Sequence, residues 1–203
     1  MSMKKTISII IAAIAMLCLG NKLSAQTSIG LYSGARAYVD IFNGDTDNKE
    51  SDAAYAVGLS FEQNARLAKI FGVSVGADLG LVAMNEFKGV KDASFLESYL
   101  DIPVRAKVFI PFGSAVDFSI FAGGAPSFCL SSNTKVGDAD PIKNLSDNGY
   151  QSFDMMIGGG IGLDIISHIK LALSFDFGLL DRNKSDIIET HSGVLKFKAA
   201  YVF

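Results

Sequence analysis

Apolar and polar residues alternate along most of this chain, and the alternation is clearest in its last segment, residues 193–203. The apolar and aromatic residues there share one face: Leu195, Phe197, Ala199, Tyr201 and Phe203. The other face carries Lys196 and Lys198. A two-residue period is that of a β-strand. Because one face is apolar to its end while the other is charged, we predict a strand with lipid on its apolar side.

The same period predicts seven more strands. They cover residues 28–42, 54–62, 70–84, 99–108, 117–130, 153–164 and 169–179. A transmembrane β-strand needs about 10 residues, so these segments are long enough to cross a bilayer. Pro103 falls inside the fourth strand, where it must lie at a point that needs no ladder donor.

The predicted connections alternate between long and short. The long ones are 43–52, 85–97, 131–151 and 181–189, and the short ones are 63–69, 110–116 and 165–168. Outer-membrane barrels have long extracellular loops and short periplasmic turns. We therefore predict an all-β protein, an eight-stranded antiparallel up-and-down transmembrane β-barrel in the cell outer membrane. A soluble secreted barrel with its apolar faces turned inward is the alternative fold.

The first 25 residues have the features of a cleaved signal peptide. Lys4 and Lys5 precede an apolar run at 7–19, and small residues precede a cleavage point after Ala25. The apolar run of 13 residues is shorter than the roughly 20 that a membrane helix needs. A lipoprotein processed at Cys18 is disfavoured by Leu17. We predict a leader at 1–25 and one barrel domain at 26–203.

Charge and cysteine content narrow the possible partners. Without the leader the chain has 15 basic and 21 acidic residues, a formal charge of −6, which disfavours nucleic acid as a partner. Cys129 is then the one remaining cysteine, so no intrachain disulfide is expected. No apolar run after residue 25 is long enough for a membrane helix.

The face opposite the lipid is predicted to hold nearly balanced charges. An eight-stranded barrel encloses little more than its own side chains, so buried charges there should pair with one another. We expect a structural ion-pair network formed by Arg36, Glu62, Asp78, Asp101, Arg105, Lys107, Asp154, Asp176, Lys196 and Lys198. Asp40, Asp117, Asp164 and Lys170 also fall on this face. The network favours a filled interior over a selective pore or proton path.

Motifs for catalysis or metal binding are weak. The glycine run at 158–162 lacks the Lys-Ser/Thr ending of a phosphate loop. His191 and Ser192 are adjacent in a strand, so they face opposite sides and cannot form a dyad. The acidic residues at 45–52 suggest a solvated loop more than a calcium site. We predict no enzyme activity, no cofactor and no metal.

The segment 98–104, Ser-Tyr-Leu-Asp-Ile-Pro-Val, with Lys107 after it, resembles the aromatic-Leu-acid-Ile-Pro strand of the PorT-like outer-membrane β-barrel family. Residues 121–126 are similar to the Gly-Pro that ends that family's next strand, although Ala125 separates the two residues here. Residues 175–179 stand where relatives often carry Arg-Tyr, and tryptophan is absent. The resemblance implies the barrel fold and, as an alternative function, a secretion-accessory role.

The terminal aromatic pair, Tyr201 and Phe203, resembles the signal recognised by the outer-membrane assembly machinery. The leading functional expectation is a structural or binding role at the cell surface, for which the predicted loop at 131–151 is the favoured contact region. We expect a surface ligand or a protein partner to bind through the extracellular loops. A narrow small-solute or ion pathway is the alternative, and a lipid-modifying enzyme is the least favoured.

Overall fold

The computed structural model describes residues 24–42, 45–87, 90–113, 115–137, 142–143, 150–166, 168–183 and 188–203. These residues form ten strands: β1 Ser24–Phe42, β2 Asp45–Arg66, β3 Phe71–Phe87, β4 Val90–Asp101, β5 Val104–Phe112, β6 Val116–Val136, β7 Ile142–Lys143, β8 Phe153–Ile165, β9 Ile169–Gly178 and β10 Ile188–Val202. In this part of the chain, no helix is long and apolar enough to cross a membrane.

The strands close into a ring. Adjacent strands of the ring pair antiparallel, and β1 pairs with β10 from Ser28↔Val202 to Phe42↔Ile188. β4 and β5 both lie between β3 and β6, so together they form one interrupted strand. β7 pairs with β6 and stays outside the ring. The ring therefore has eight strands, and the predicted antiparallel barrel is confirmed.

Pro103 lies at the interruption between β4 and β5. The backbone N–H of Ile102 donates to Pro126 O at 2.9 Å, and Pro103 O accepts from Gly76 N at 2.8 Å. Proline has no N–H to donate to a neighbouring strand, so an interruption at this residue costs the sheet few hydrogen bonds.

Apolar side chains cover the outside of the barrel, and charged ones lie inside. Leu31 is 62% exposed and Phe197 is 52% exposed, whereas Arg36 is 1% and Asp78 is 2% exposed. This is the reverse of a soluble barrel, in which the apolar face would be buried. Each inward residue alternates with an outward one, as the two-residue period predicts.

Several residues predicted as loops lie in strands. β2 begins at Asp45, β3 continues to Phe87 and β4 begins at Val90, so most of 43–52 and 85–97 is paired backbone. β6 also runs to Val136 and β10 begins at Ile188, which shortens 131–151 and 181–189. Beyond the bilayer a strand can be polar on both faces, because backbone pairing with its neighbours decides its conformation. These loop boundaries were wrong for that reason.

The two ends of the barrel differ. We call the end with the connections 67–70, 113–115 and 166–168 the turn end, and the opposite one the loop end. β1, β2, β3 and β6 have 19, 22, 17 and 21 residues in total, but β8 and β9 have 13 and 10. At the loop end β6 therefore continues beyond the last residue that pairs with β8.

The predicted leader lies mostly outside the described residues. Ser24 and Ala25, its last two residues, pair with Arg66 and Ala65 at the start of β1.

Candidate functional site: the charged interior

Buried charges of both signs fill the barrel. Seven acids and six bases of the described residues are less than a tenth exposed: Asp40, Glu62, Asp78, Glu97, Asp101, Asp154, Asp176, Arg36, Arg105, Lys107, Lys170, Arg182 and Lys196. Lys198, whose side chain is 11% exposed, makes the signs equal. Because an uncompensated charge in such an interior is costly, this balance is a condition of the fold.

Glu62 is the centre of the cluster nearest the turn end. Lys107 Nζ donates to Glu62 Oε1 at 2.7 Å, and Lys170 donates to the same oxygen. Both ammonium groups also reach Asn64 Oδ1, at 2.7 and 3.2 Å. At the mouth, the partly exposed Arg66 pairs with Asp117.

Asp78 and Asp101 are bound in the middle of the barrel. Lys196 Nζ lies 3.0 Å from Asp78 Oδ2 and 2.7 Å from Asp101 Oδ2, and Lys198 Nζ lies 3.0 Å from Asp78 Oδ1. Arg105 pairs with Asp176 and also donates to a backbone carbonyl. Each of these acids therefore has a charge-assisted partner.

Two tyrosines pack among these charges. Tyr32 Oη donates to Tyr99 Oη at 2.9 Å. The Arg36 guanidinium lies 4.2 Å from the centre of the Tyr99 ring, and Lys196 Nζ lies 5.0 Å from that of Tyr32. A Cβ at Gly80 would overlap the Tyr32 hydroxyl, so this position has room for glycine alone. The central cations thus contact the aromatic faces of the tyrosines as well as the carboxylates of the aspartates.

A second cluster closes the loop end. Arg182, in the segment that follows β9, lies 2.9 Å from Glu97 Oε1 on β4, and Tyr38 bonds to the other oxygen of Glu97. Burial by itself would lower the pKa of Arg182, but the Glu97 carboxylate raises it above its usual value. Asp154 accepts from Ser192 Oγ at 2.6 Å and from Leu180 N at 3.2 Å.

Many of these contacts cross the barrel instead of joining neighbouring strands. Lys196 on β10 reaches Asp101 on β4, the strand directly opposite in the ring. Arg36 on β1 donates to Ser127 on β6, also opposite, at 2.9 Å. Next to the central pairs lies a cavity of about 20 Å³, room for a water-sized guest. The interior is a packed polar core.

The structure places all ten residues of the predicted network on the inner face. Nine of them take part in ion pairs with one another or with Lys170, and the tenth, Asp154, instead binds a serine and a backbone amide. Asp40 accepts from Thr190 at 2.7 Å, and Asp164 lines the mouth at the turn end.

Sequence reasoning missed Glu97 and Arg182, because both fell in segments predicted as loops. Glu97 continues the inward series of Tyr99 and Asp101 at a two-residue spacing, and that signal could have identified it. Arg182 has no such signal, since it follows the end of β9.

His191 and Ser192 point to opposite faces. Ser192 is buried and bonds to Asp154, whereas the His191 ring stacks on Phe177 at 5.8 Å. In the described part of the chain, no group of three His, Cys, Asp or Glu residues could hold a metal ion. Tyr201 and Phe203 lie on the outer surface, 50% and 71% exposed, with their ring centres 5.0 Å apart.

A closed antiparallel ring, apolar outside and charge-paired inside, is the architecture of an integral outer-membrane β-barrel. Residues 18–182 match the family described as "Outer membrane protein beta-barrel domain". The chain belongs to this family, and it is a protein of the outer membrane.

Several solved outer-membrane barrels are similar in fold. Ail, the attachment invasion locus protein of Yersinia pestis, is 10% identical with a TM-score of 0.47, over 87% of this chain and 98% of that one. Neisserial surface protein A is 10% identical with a TM-score of 0.49, over 86% and 97%. The outer membrane enzyme PagL is 16% identical with a TM-score of 0.43, over 82% and 97%. None of the curated proteins matches this sequence.

Proposed function

We propose that the protein has a structural or binding role at the cell surface, carried by the connections at the loop end. The observation that supports this proposal is the packed interior: salt bridges cross the barrel, and the cavity beside them is about 20 Å³. A barrel with such an interior can bind other molecules mainly through the connections at its two ends. By the usual orientation of these proteins, the loop end is extracellular.

The favoured contact region remains 131–151. Its first part extends β6 as an exposed polar strand, in which Asn133 and Lys135 are exposed and Val136 is 46% exposed. β6 continues past Phe128, where its pairing with β8 ends, so this segment lies further from the membrane than the end of β8.

Crosslinking on intact cells tests this role. We would replace residues 137–149 by a Gly-Ser segment of equal length and, as the control, replace the turn at 113–115 in the same way. We expect crosslinked partners to be lost with the first change and kept with the second. Unchanged capture by the first variant, at equal surface amounts, would overturn the proposed contact region.

A narrow small-solute or ion pathway is the alternative. It would have to pass the Arg105–Asp176 and Lys196–Asp101 pairs, and a mouth cavity of about 50 Å³ beside Arg66 and Asp117 would be its entrance. A secretion-accessory role of the PorT type rests on the sequence resemblance alone.

We also propose that the protein is not an enzyme and that Tyr201 and Phe203 are recognised during assembly. Support for the first comes from Ser192, which is engaged by a buried aspartate and not by His191. Support for the second comes from the exposure of both aromatic rings at the end of β10. Removal of Phe203 should lower the amount of barrel assembled in cells. An unchanged amount would contradict the assembly role.

A further inference from the structure

Two lysines converge on one acid near the turn end. Lys107 and Lys170 both donate to Oε1 of Glu62, and both reach Asn64 Oδ1. All four residues are less than a tenth exposed. Two ammonium groups that share one carboxylate leave an excess of positive charge, which is unfavourable in a buried site.

The cavity of about 20 Å³ lies beside this cluster. Four cationic and three acidic side chains line it: Arg105, Lys107, Lys170, Lys198, Glu62, Asp78 and Asp176. Every one of these acids is already bound by a lysine or an arginine. The walls of the cavity therefore carry one positive charge more than they carry negative.

Asp164 is a further carboxylate at this end of the barrel. It lies opposite Lys170 in the β8–β9 ladder, but it lines the separate mouth cavity together with Arg66 and Asp117. The negative charge of Asp164 therefore acts on Lys107 and Lys170 from the mouth cavity. It does not belong to the wall of the 20 Å³ cavity.

We propose that this cavity binds one small monovalent anion of the chloride class. A guest near the size of a water molecule fits a cavity of about 20 Å³, whereas an organic anion does not. Lysine has three N–H donors, and among the described residues Lys198 makes one hydrogen bond, to Asp78 Oδ1. The anion would neutralise the excess charge and accept from the lysine ammonium groups. This inference does not depend on the surface role.

Bromide, which scatters anomalously, gives a direct test on the wild-type protein. Crystals of the refolded barrel grown in sodium bromide should show an anomalous peak in the cavity, in contact with Nζ of Lys107, Lys170 or Lys198. Bromide peaks elsewhere on the protein with none in this cavity would overturn the proposal.

Thermal unfolding gives a second test. At constant ionic strength, replacing gluconate by chloride should raise the unfolding temperature of the wild type and of Lys69→Gln, a change at an exposed lysine of the 67–70 turn. Lys170→Gln leaves Glu62 paired with Lys107. Its apparent chloride affinity should fall by about tenfold, the effect of losing one charge-assisted hydrogen bond. Equal chloride responses in all three proteins, or none in the wild type, would contradict the site. If Lys170→Gln does not refold, the bromide map decides.

Discussion

Arg105 on β5 and Asp176 on β9 form a buried salt bridge across two intervening strands, β6 and β8. The side chains are 5% and 4% exposed, and Arg105 also donates to Gly158 O at 3.2 Å. The pair therefore ties distant parts of the ring together through its interior. It belongs to a set of cross-barrel contacts that includes Lys196–Asp101 and Arg36–Ser127.

The cost of breaking this pair should be large. Arg105→Ala leaves Asp176 buried without its cation, so we expect a loss of about 3–5 kcal/mol in the free energy of unfolding. Urea unfolding in detergent, followed by the heat-dependent shift in gel mobility, measures it. Arg66→Ala is the control, because the Arg66–Asp117 pair is partly exposed and should contribute about 0–1 kcal/mol. Equal losses of unfolding free energy in the two variants would show that the Arg105–Asp176 pair stabilises the barrel no more than the partly exposed Arg66–Asp117 pair does.

Gly80 tests the packing of the tyrosine pair. A Cβ at this position would overlap the Tyr32 hydroxyl and lie 2.8 Å from Cζ of Tyr99. Gly80→Ala should therefore destabilise the barrel by about 1–3 kcal/mol, as overpacking does. Tyr32→Phe in the same protein should restore part of the loss.

Gly124→Ala is the matched control for Gly80→Ala. Its Cβ would meet Met155 Cε and Met156 O at 3.4 Å, so a smaller effect is expected. The unfolding midpoints of the four proteins give the comparison. If Gly80→Ala is no less stable than Gly124→Ala, the tyrosine packing described for the interior is incorrect.

The packed interior predicts little ion flow. In planar bilayers the wild-type protein should show no steady conductance, because cross-barrel pairs fill the space between the two mouths. Arg105→Ala and Lys107→Ala are the informative variants. Steady conductance in the wild type that either change abolishes would support the pathway and reject the filled interior.

The assignment of the two faces is open to a labelling test. With Cys129 replaced by serine, single cysteines at Leu173 and Phe197 should carry fluorophores that lipid-borne quenchers reach, because both side chains face outward. Labels at Asp78 and Lys196 should be protected from these quenchers. If lipid-borne quenchers reach the labels at Asp78 and Lys196 while the labels at Leu173 and Phe197 report water, the lipid-facing and interior faces have been assigned the wrong way round.

The sequence was sufficient for the barrel wall and for most of the charged interior. Within the bilayer, lipid on one side and a polar core on the other impose a two-residue period, which makes the direction of Asp78 or Lys196 predictable. Outside the bilayer that constraint ends: the sequence of β2 is polar at every position from 45 to 52, although its backbone still pairs with β1. The loop boundaries failed for this reason, and Glu97 was missed with them.

Two further features could not be predicted from the sequence. At Ser98 and Tyr99 the register with β6 shifts, since they pair with Ser131 and Cys129 and leave Leu130 unmatched. Ser132 is therefore buried, although the alternation of β6 before the shift would turn it outward. The sequence also could not predict which inward side chains bind one another, because contacts between opposite strands depend on how far each side chain extends across the ring. Asp154, predicted to join an ion pair, binds Ser192 for this reason.

The crossing contacts have a bearing on how the protein enters its membrane. Lys196 can meet Asp101, and Arg36 can meet Ser127, only when the sheet has curved so far that opposite strands face each other. An unfinished sheet would turn ammonium and carboxylate groups toward hydrocarbon with no counter-charge within reach. Insertion and completion of the wall should therefore proceed as a single cooperative event, in which the charges are neutralised as the lipid is excluded.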